Sequence, residues 1–417
     1  MTAHTPDGDV DEVERVFREV YGHAVATLVR VFGDITVAED AVQDAFVVAA
    51  QRWRISGFPP NPAGWIVTTA RNRAIDHLRR SSRGRELTRT LGEFSGSTSN
   101  APADAHVEQD TVTDDRLQLM FTCCHPALRT EHQVALTLRL LGGLRLDEIA
   151  RGFLVAEATM AKRLVRAKFK IKAAKIPYRV PAAADLPARL HPVLSVLYLI
   201  YSAGADDLIE RAQLRAEAIR LARVLVTLMP DEPEISGLLA LMLLNESRIP
   251  ARTREGAVVL LRDQDRTLWD RSLISEGHSI VRQCISTGRP GPYQLQAAIQ
   301  AVHCDAESFA ATDWAQILTL YDHLHSIAPT AIVALNRAIA LTETEGPRCG
   351  LDALDTVAGD LDSYFPLHAA RGDALRRIDR FDEAREAYAR AAELALSTSD
   401  RDFFNLRLQE LSNRDEQ

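Results

Sequence analysis

Residues 92–115 carry six acidic side chains and no basic one, and a segment of that composition buries too little apolar surface to offset the entropy of ordering it. The chain is therefore expected to divide there. Residues 87–113, rich in Gly, Ser, Thr, Ala and acid, read as a flexible acidic linker. On both sides of it apolar residues recur three and four apart, the period of helices that bury one face, and little of the sequence favours strands. The expected fold class is all-α.

Before the linker, residues 10–86 form the first expected domain. Val13, Val16, Phe17 and Val20 give the inner face of an opening helix. Ala41, Val42, Ala45, Phe46 and Ala49 give the stripe of a second, whose other face holds Glu39, Asp40, Gln43 and Asp44. Prolines and glycines in residues 55–64 exclude regular helix. A basic helix over Trp65–Arg80 follows. The kinked loop and helix carry Phe58, Asn61 and Trp65, suited to stacking or pocketing an unpaired base, with Asn72 at its edge and Arg71, Arg73, Arg79 and Arg80 along a nucleic-acid backbone.

After the linker, residues 114–178 form the second expected domain. Thr130 and Gln133 fit a capping box, and Gly142-Gly143 should end the helix they start. Residues 146–153 then read as a short helix, 154–156 as a turn and 157–172 as a longer basic helix, which is helix-turn-helix grammar. Residues 162–179 contain eight basic side chains and no acidic one, the footprint of polyanion contact. With Ala158, Leu164 and Phe169 toward the core and Met160 packing at the start, Ala161, Lys162, Val165 and Arg166 share an accessible face. Lys162 and Arg166 suit base edges in a major groove. Arg163, Lys168, Lys170 and Lys172 suit phosphates.

Residues 1–180 hold 25 Lys+Arg against 22 Asp+Glu, whereas residues 181–417 hold 24 against 35. The C-terminal half is thus a poor polyanion binder. From residue 185 to 417 the pattern is helix after helix. Residues 364–396 fit the tetratricopeptide template, with Gly372, Ala384, Tyr388 and Ala391 at its small and aromatic positions. Residues 329–358 give a similar helix pair, and residues 233–261 are expected to be a degenerate third. Such stacks present a groove to a protein or peptide, so a protein or intramolecular partner is expected for this domain.

Several function classes find no support. The start of the chain lacks the basic and apolar stretches of a signal peptide, and no apolar run approaches the ~18 residues of a membrane span; a cytoplasmic protein without membrane contact is expected. Five cysteines make no disulfide framework. Adjacent Cys123 and Cys124 lack the gap that lets two thiolates face one zinc ion, so they are expected to end a helix before Pro126, with no metal and no cofactor. Walker, G-x-S-x-G and HExxH motifs are absent, and the expectation is a protein that is not an enzyme and has no catalytic residue.

Ala38-Glu-Asp-Ala-Val-Gln-Asp-Ala-Phe46 and Ala70-Arg-Asn-Arg-Ala-Ile-Asp-His-Leu-Arg-Arg80, followed by Glu148-Ile-Ala-Arg151 and Thr159-Met-Ala-Lys-Arg-Leu-Val-Arg-Ala-Lys168, resemble the second and fourth regions of extracytoplasmic-function (ECF) bacterial RNA polymerase sigma factors. The remainder resembles the tetratricopeptide-like extension of one subgroup, in which Cys123-Cys124-His125-Pro126-Ala127-Leu128 is also found. The resemblance implies a factor that binds core RNA polymerase and directs promoter-specific initiation. Asp40, Gln43, Asp44 and Trp53 would meet the clamp-helix coiled coil of the largest subunit. Phe58, Asn61, Trp65, Asn72 and Arg73 would handle the melted −10 element, and Ala161, Lys162, Arg163, Val165 and Arg166 the −35 duplex. The proline-rich loop departs from the family pattern, and the C-terminal domain would regulate activity. Promoter elements two duplex turns apart lie ~70 Å from each other, and residues 92–115 extended at ~3.4 Å each reach about 80 Å. The rival reading is a helix-turn-helix regulator with a repeat-type sensor domain, which would need neither Ala38–Phe46 nor the loop before Trp65.

Overall fold

Gly33, at φ +67°, turns the chain out of α1 (Pro6–Phe32), and Asp34 starts α2 (Ile35–Ser56) by accepting the backbone N–H of Thr36 at 2.9 Å and of Val37 at 3.3 Å. A left-handed residue followed by an N-cap is the local signature of a sharp interhelical corner. The computed structural model describes residues 6–80, 109–153, 155–203, 209–254, 257–395 and 397–412. They form two compact units, Met1–Leu228 and Met229–Gln417. Helices account for nearly all regular structure among them, the exception being a two-stranded ribbon, Thr253–Arg254 against Ala257–Val258.

In the first unit α1, α2 and α3 (Pro62–Arg80) pack on one another. Val16, Val20, Ala41, Val42, Ala45, Phe46 and Ala49 are buried as their spacing predicts. Phe17 lies 4.7 Å from the Phe46 ring and 4.8 Å from Tyr21. The side chains of Val13 and Arg80 lie outside those described.

The chain resumes with α4 (Gln109–Cys123), so residues 109–113, expected in the linker, already form helix; residues 87–108 lie outside the described residues. α5 (Thr130–Leu136) runs into a π-helical turn over Thr137–Leu141, closed by Gly143 at φ +71°. The expected Thr130–Gln133 capping box does not form. Arg129 occupies the cap position, and the Gln133 side chain turns inward to donate to the His125 carbonyl at 2.9 Å and the Cys124 carbonyl at 3.3 Å. α6 (Leu146–Gly152) and α7 (Glu157–Ala173) complete the helix-turn-helix; Leu154 in its turn lies outside the described residues.

The two halves of this unit are packed together, not held apart. Gly22 on α1 sits so close to the π turn that a Cβ there would be 2.6 Å from the Leu141 carbonyl oxygen. Arg30 donates to Asp115 at 2.9 Å, and Tyr178 donates to the carbonyls of Ala26 at 2.8 Å and Asp115 at 3.0 Å. Asp115, counted with the acidic linker in the sequence, is only 2% exposed. α8 (Leu186–Ala203) and α9 (Ile209–Leu228) also belong here: Arg189 donates to Phe121 O at 3.0 Å and Arg220 to Leu141 O at 3.1 Å. The expected boundary near residue 185 thus falls inside the first compact unit.

The second unit runs through α10 (Pro233–Glu246), α11 (Arg271–Ser286), α12 (Pro292–Asp305), α13 (Trp314–Ile327), α14 (Ala331–Thr344), α15 (Pro347–Val357), α16 (Phe365–Arg377), α17 (Phe381–Leu394) and α18 (Thr398–Ser412). The α14–α15 and α16–α17 pairs fall where the repeat template puts them. Gly372 lets α16 meet α17, since a Cβ there would stand 2.7 Å from the Tyr388 ring. Residues 233–261 are not a third pair; α10 is followed by a short 3-10 turn and the ribbon, and packs on α11 and α12 instead. Arg377 ties successive pairs by an ion pair to Glu343 at 2.6 Å. Among the described residues no helix is long and apolar enough to cross a membrane.

His303 is buried in this unit, its ring edge-on to Trp314 at 5.2 Å. Burial, then the Arg248 and Arg266 guanidinium groups, push its imidazole down to about 3. The folded state therefore holds a neutral ring that the unfolded chain protonates below about 6.5. Stability from this group is complete above pH 6.5 and falls as the pH drops toward 3, by about 1.4 kcal/mol per pH unit. Denaturant unfolding of the second unit between pH 6 and 5 should approach that slope, and a His303→Gln chain should lose most of it there, whereas the His23 imidazole, pushed down to about 4 by burial and then Arg116, gives the first unit a pH dependence of its own.

Candidate nucleic-acid interface

α7 buries Met160, Leu164 and Ala167 against α5 and α6. This leaves Lys162, Val165, Arg166 and Phe169 as a continuous outward stripe, with Val165 67% and Phe169 72% exposed. Ala158 and Phe169, expected to face the core, therefore do not. The helix carries two apolar rows, and α5 and α6 cover the row through Leu164. Ala161 and Arg163 are half-buried at the edge of the stripe. Lys162, Arg163 and Arg166 make no hydrogen bond or ion pair among the described residues.

Two residues that the sequence did not single out, an arginine and a histidine, adjoin this face. Arg129 is 80% exposed, and His132 follows in the first turn of α5. Partial burial, followed by Arg129, Arg166 and Arg163, holds the His132 imidazole below its ordinary value against the opposing pull of Glu131. No local pattern in α5 points to α7, so only the fold reveals this neighbourhood.

Two of the lysines farther along α7 are engaged elsewhere, while Lys170 is exposed. Lys168, expected on a phosphate, pairs with Glu39 of α2, and Lys172 pairs with Asp34 at 3.1 Å. Glu39 also accepts from Arg139 Nε of the π turn at 2.6 Å and from Gln43 at 3.0 Å, and it is 4% exposed. Arg139 in turn donates to Leu144 O at 3.0 Å. Burial opposes ionisation of Asp34, but Lys172 and the backbone N–H groups of Val37 and Thr36 outweigh it and hold the carboxyl below its usual value. Glu39, read from sequence as part of an exposed polar face, is thus the buried centre of a contact between α2 and α7.

Of the residues grouped on the outer face of α2, Asp40 and Asp44 are exposed and Gln43 is half-buried. Burial and the neighbouring Glu39 carboxylate raise the Asp40 carboxyl. Trp53 is not on this face. It is 3% exposed, with the Phe58 ring 4.9 Å away and the Trp65 ring 5.4 Å away. A tryptophan between two aromatic rings at the end of α2 is a core residue that pins the following loop.

That pinning shapes the other basic segment. Phe58 and Trp65 are half-buried against Trp53, whereas Asn61 is exposed and caps α3, its side-chain oxygen accepting from Gly64 N–H at 2.9 Å. Asn72 and Arg73 are exposed on α3 together with Arg71. Of the residues grouped by sequence, Phe58, Asn61 and Trp65 therefore share the corner between α2 and α3, with the two aromatic rings partly committed to packing, and Asn72 and Arg73 stand about two turns farther along α3.

Cys123 and Cys124 end α4 and are buried. Burial pushes the Cys124 thiol to about 12 and that of Cys123 well above its ordinary value, so both are held as thiols. His125 accepts at Nδ1 from Ala127 N–H at 3.1 Å, shaping the turn after them.

Residues 16–84 match the family model described as Sigma-70 region 2, and residues 189–285 match a family of unknown function, DUF6596. An uncharacterized protein of Rhizobium meliloti (strain 1021) is 40% identical over 399 residues, covering 93% of each chain. The ECF RNA polymerase sigma factor SigL of Mycobacterium tuberculosis (strain ATCC 25618 / H37Rv) is 30% identical over 154 residues, 36% of this chain and 82% of that one. The probable ECF RNA polymerase sigma factor SigI of the same strain is 28% identical over 199 residues, 47% of this chain and 64% of that one. Sequence motifs, helix-turn-helix geometry and these relatives agree: the chain belongs to the family of ECF RNA polymerase sigma factors, which are transcription-initiation factors and not enzymes.

Proposed function

We propose that this sigma factor binds core RNA polymerase through the outer face of α2 and directs it to promoters whose −35 duplex is read by α7 and whose melted −10 element is held at the corner of α2 and α3. The observation that carries the reading is the outward stripe of α7, in which Lys162 and Arg166 flank Val165 with no competing partner among the described residues. Arg and Lys at that spacing suit guanine edges, and a small apolar side chain between them suits a thymine methyl. Arg163 and Arg129 add phosphate-binding charge at the rim, and His132, its imidazole held toward the neutral form, adds a hydrogen-bonding group. Ala161, half-buried, allows close approach.

Asn72, Arg73 and Asn61 supply polar contacts to a separated strand, and Phe58 and Trp65 supply ring edges and faces. Asp40, Gln43 and Asp44 meet a basic partner surface, in this reading the clamp-helix coiled coil of the largest polymerase subunit. The second unit, acidic and built of paired helices, regulates promoter or polymerase access by binding a protein or another part of the chain.

Lys162→Ala and Arg166→Ala should each weaken binding to a selected −35 duplex by about 1–3 kcal/mol and relax the preference at one or two base pairs. Arg163→Ala should weaken all sequences alike and lower the salt dependence by about one phosphate. Fluorescence anisotropy against a duplex library at several salt concentrations separates the two behaviours.

Reconstitution with core polymerase on a promoter library tests the whole reading. Promoter-specific transcripts should appear without any other sigma factor. Truncation after Leu228, which keeps α8 and α9 on the first unit, should change promoter use or output. Unchanged output from the truncated chain removes the regulatory role of the second unit. Failure both to bind core and to initiate favours instead a helix-turn-helix regulator that acts without being a sigma factor.

A further inference from the structure

We infer that residues 257–266 occupy a peptide-binding surface on the helix stack of the second unit, and that this surface fits a partner segment in which an aliphatic run is followed by arginine. The inference rests on the proposed regulatory reading of the second unit and deepens it by giving the chemistry of the partner.

The connection between α10 and α11 touches helices that a stack would otherwise keep apart. Ala257 and Val258 pack along α18. Arg262 Nη2 donates to Asp373 of α16 at 3.2 Å, and its guanidinium lies 5.5 Å from the centre of the Phe309 ring, which follows α12. Arg266 donates to the His303 and Ala306 carbonyls at the end of α12, both at 2.7 Å. A repeat in a stack meets only its neighbours, yet α12 and α16 are separated by the α14–α15 pair. Ala257 to Arg266 spans at most about 30 Å. So short a segment reaches α12, α16 and α18 together only on the inner side of the curve, where such stacks present their binding surface.

The segment is attached as a ligand would be. Its ends are fixed, since Ala251, Arg266 and Trp269 are buried. From Arg252 to Asp265 no described residue is buried, and Val258, Val259, Leu260 and Leu261 are each half-covered. The surface beneath does not need it. The buried apolar clusters through α12–α18 contain none of the described residues 257–266, and Asp373 keeps Arg376 at 2.8 Å as a second cation.

Charge sets the sign of the partner. Residues 229–417 carry 19 arginines and no lysine against 30 Asp+Glu, which favours a cationic segment over an anionic one. At the Arg262 position a carboxylate and an aromatic face stand together, and a guanidinium satisfies both at once. The four aliphatic residues Val258–Leu261 precede it, so the resident segment displays the pattern that the surface accepts.

A fluorescein-labelled peptide with the sequence of residues 257–266 tests this on the full-length chain by anisotropy. Arg262→Ala in the chain loosens the resident segment and should raise peptide affinity about tenfold, if wild type exposes the surface about a tenth of the time. Adding Asp373→Asn or Phe309→Ala to that variant should undo most of the gain, and a peptide carrying Arg262→Glu should not bind. In the wild-type chain, millimolar unlabelled peptide should raise hydrogen exchange across residues 257–263 several-fold while α10 and α12 stay unchanged. A folded Arg262→Ala chain that fails to bind the peptide overturns the inference, as does binding that is indifferent to Asp373 and Phe309. Exchange unmoved by the peptide overturns it whether or not the variants fold. Peptide binding that leaves promoter-directed transcription unchanged supports the surface and counts against its regulatory use, so the two readings fail separately.

Discussion

A carboxylate at 4% exposure is tolerated only where cations and hydrogen-bond donors replace the water it has lost, and the arrangement of the first unit follows from how Glu39 meets that requirement. Its partners lie 100 and 129 residues further along the chain. Bringing them in fixes the π turn and α7 over α2. The π turn has a part in this: Gly142 N–H bonds Thr137 O at 3.1 Å, spanning five residues, so Arg139 is carried on a locally widened turn. Such turns interrupt α-helices where a side chain has to be re-aimed. Here the re-aimed guanidinium joins Glu39 to the Leu144 carbonyl at the entrance of the helix-turn-helix.

The second unit meets its packing problem in another way. Helix pairs approach through small residues, and an aromatic ring fills the space each leaves, as Tyr388 does over Gly372. Its buried cations need different partners. Arg266 lies over the Trp269 ring at 4.4 Å and donates to the carbonyls of His303 and Ala306, both at 2.7 Å. Burial first, and then the Arg248 and Arg266 cations, disfavour a charged imidazole beside them, so the neutral state of His303 becomes part of the fold.

Local pattern made much of this legible. The stripe from Ala41 to Ala49 and the accessible run from Lys162 to Arg166 follow from helical period, because each depends only on residues within three turns. What period cannot supply is the identity of the neighbour. α7 offers two apolar rows, and nothing within it says that α5 and α6 take the row through Leu164 and leave Phe169 outside. Trp53 resembles a surface anchor until Phe58 and Trp65 close around it. Gln133 is spaced for a cap but finds two carbonyls of the preceding turn. Glu39 and Asp115 look like solvent-facing acids because their cationic partners come from distant segments.

The kind of contact matters as much as its presence. Desolvation cancels much of the Coulomb attraction in a buried ion pair, so such a pair fixes geometry strongly while adding little net stability compared with an apolar interface of the same size. The halves of the first unit meet through the Glu39 triad, Asp34–Lys172, Arg30–Asp115 and the Tyr178 hydroxyl, together with one close backbone approach at Gly22. Apolar contact joins the halves as well: a Cβ on Gly143 would stand 3.0 Å from the Phe17 ring and 3.2 Å from the Tyr21 ring, and α1 packs along α4 and the π turn. An interface composed in this way holds a defined register, because each ion pair accepts one geometry whereas apolar contact alone would tolerate several.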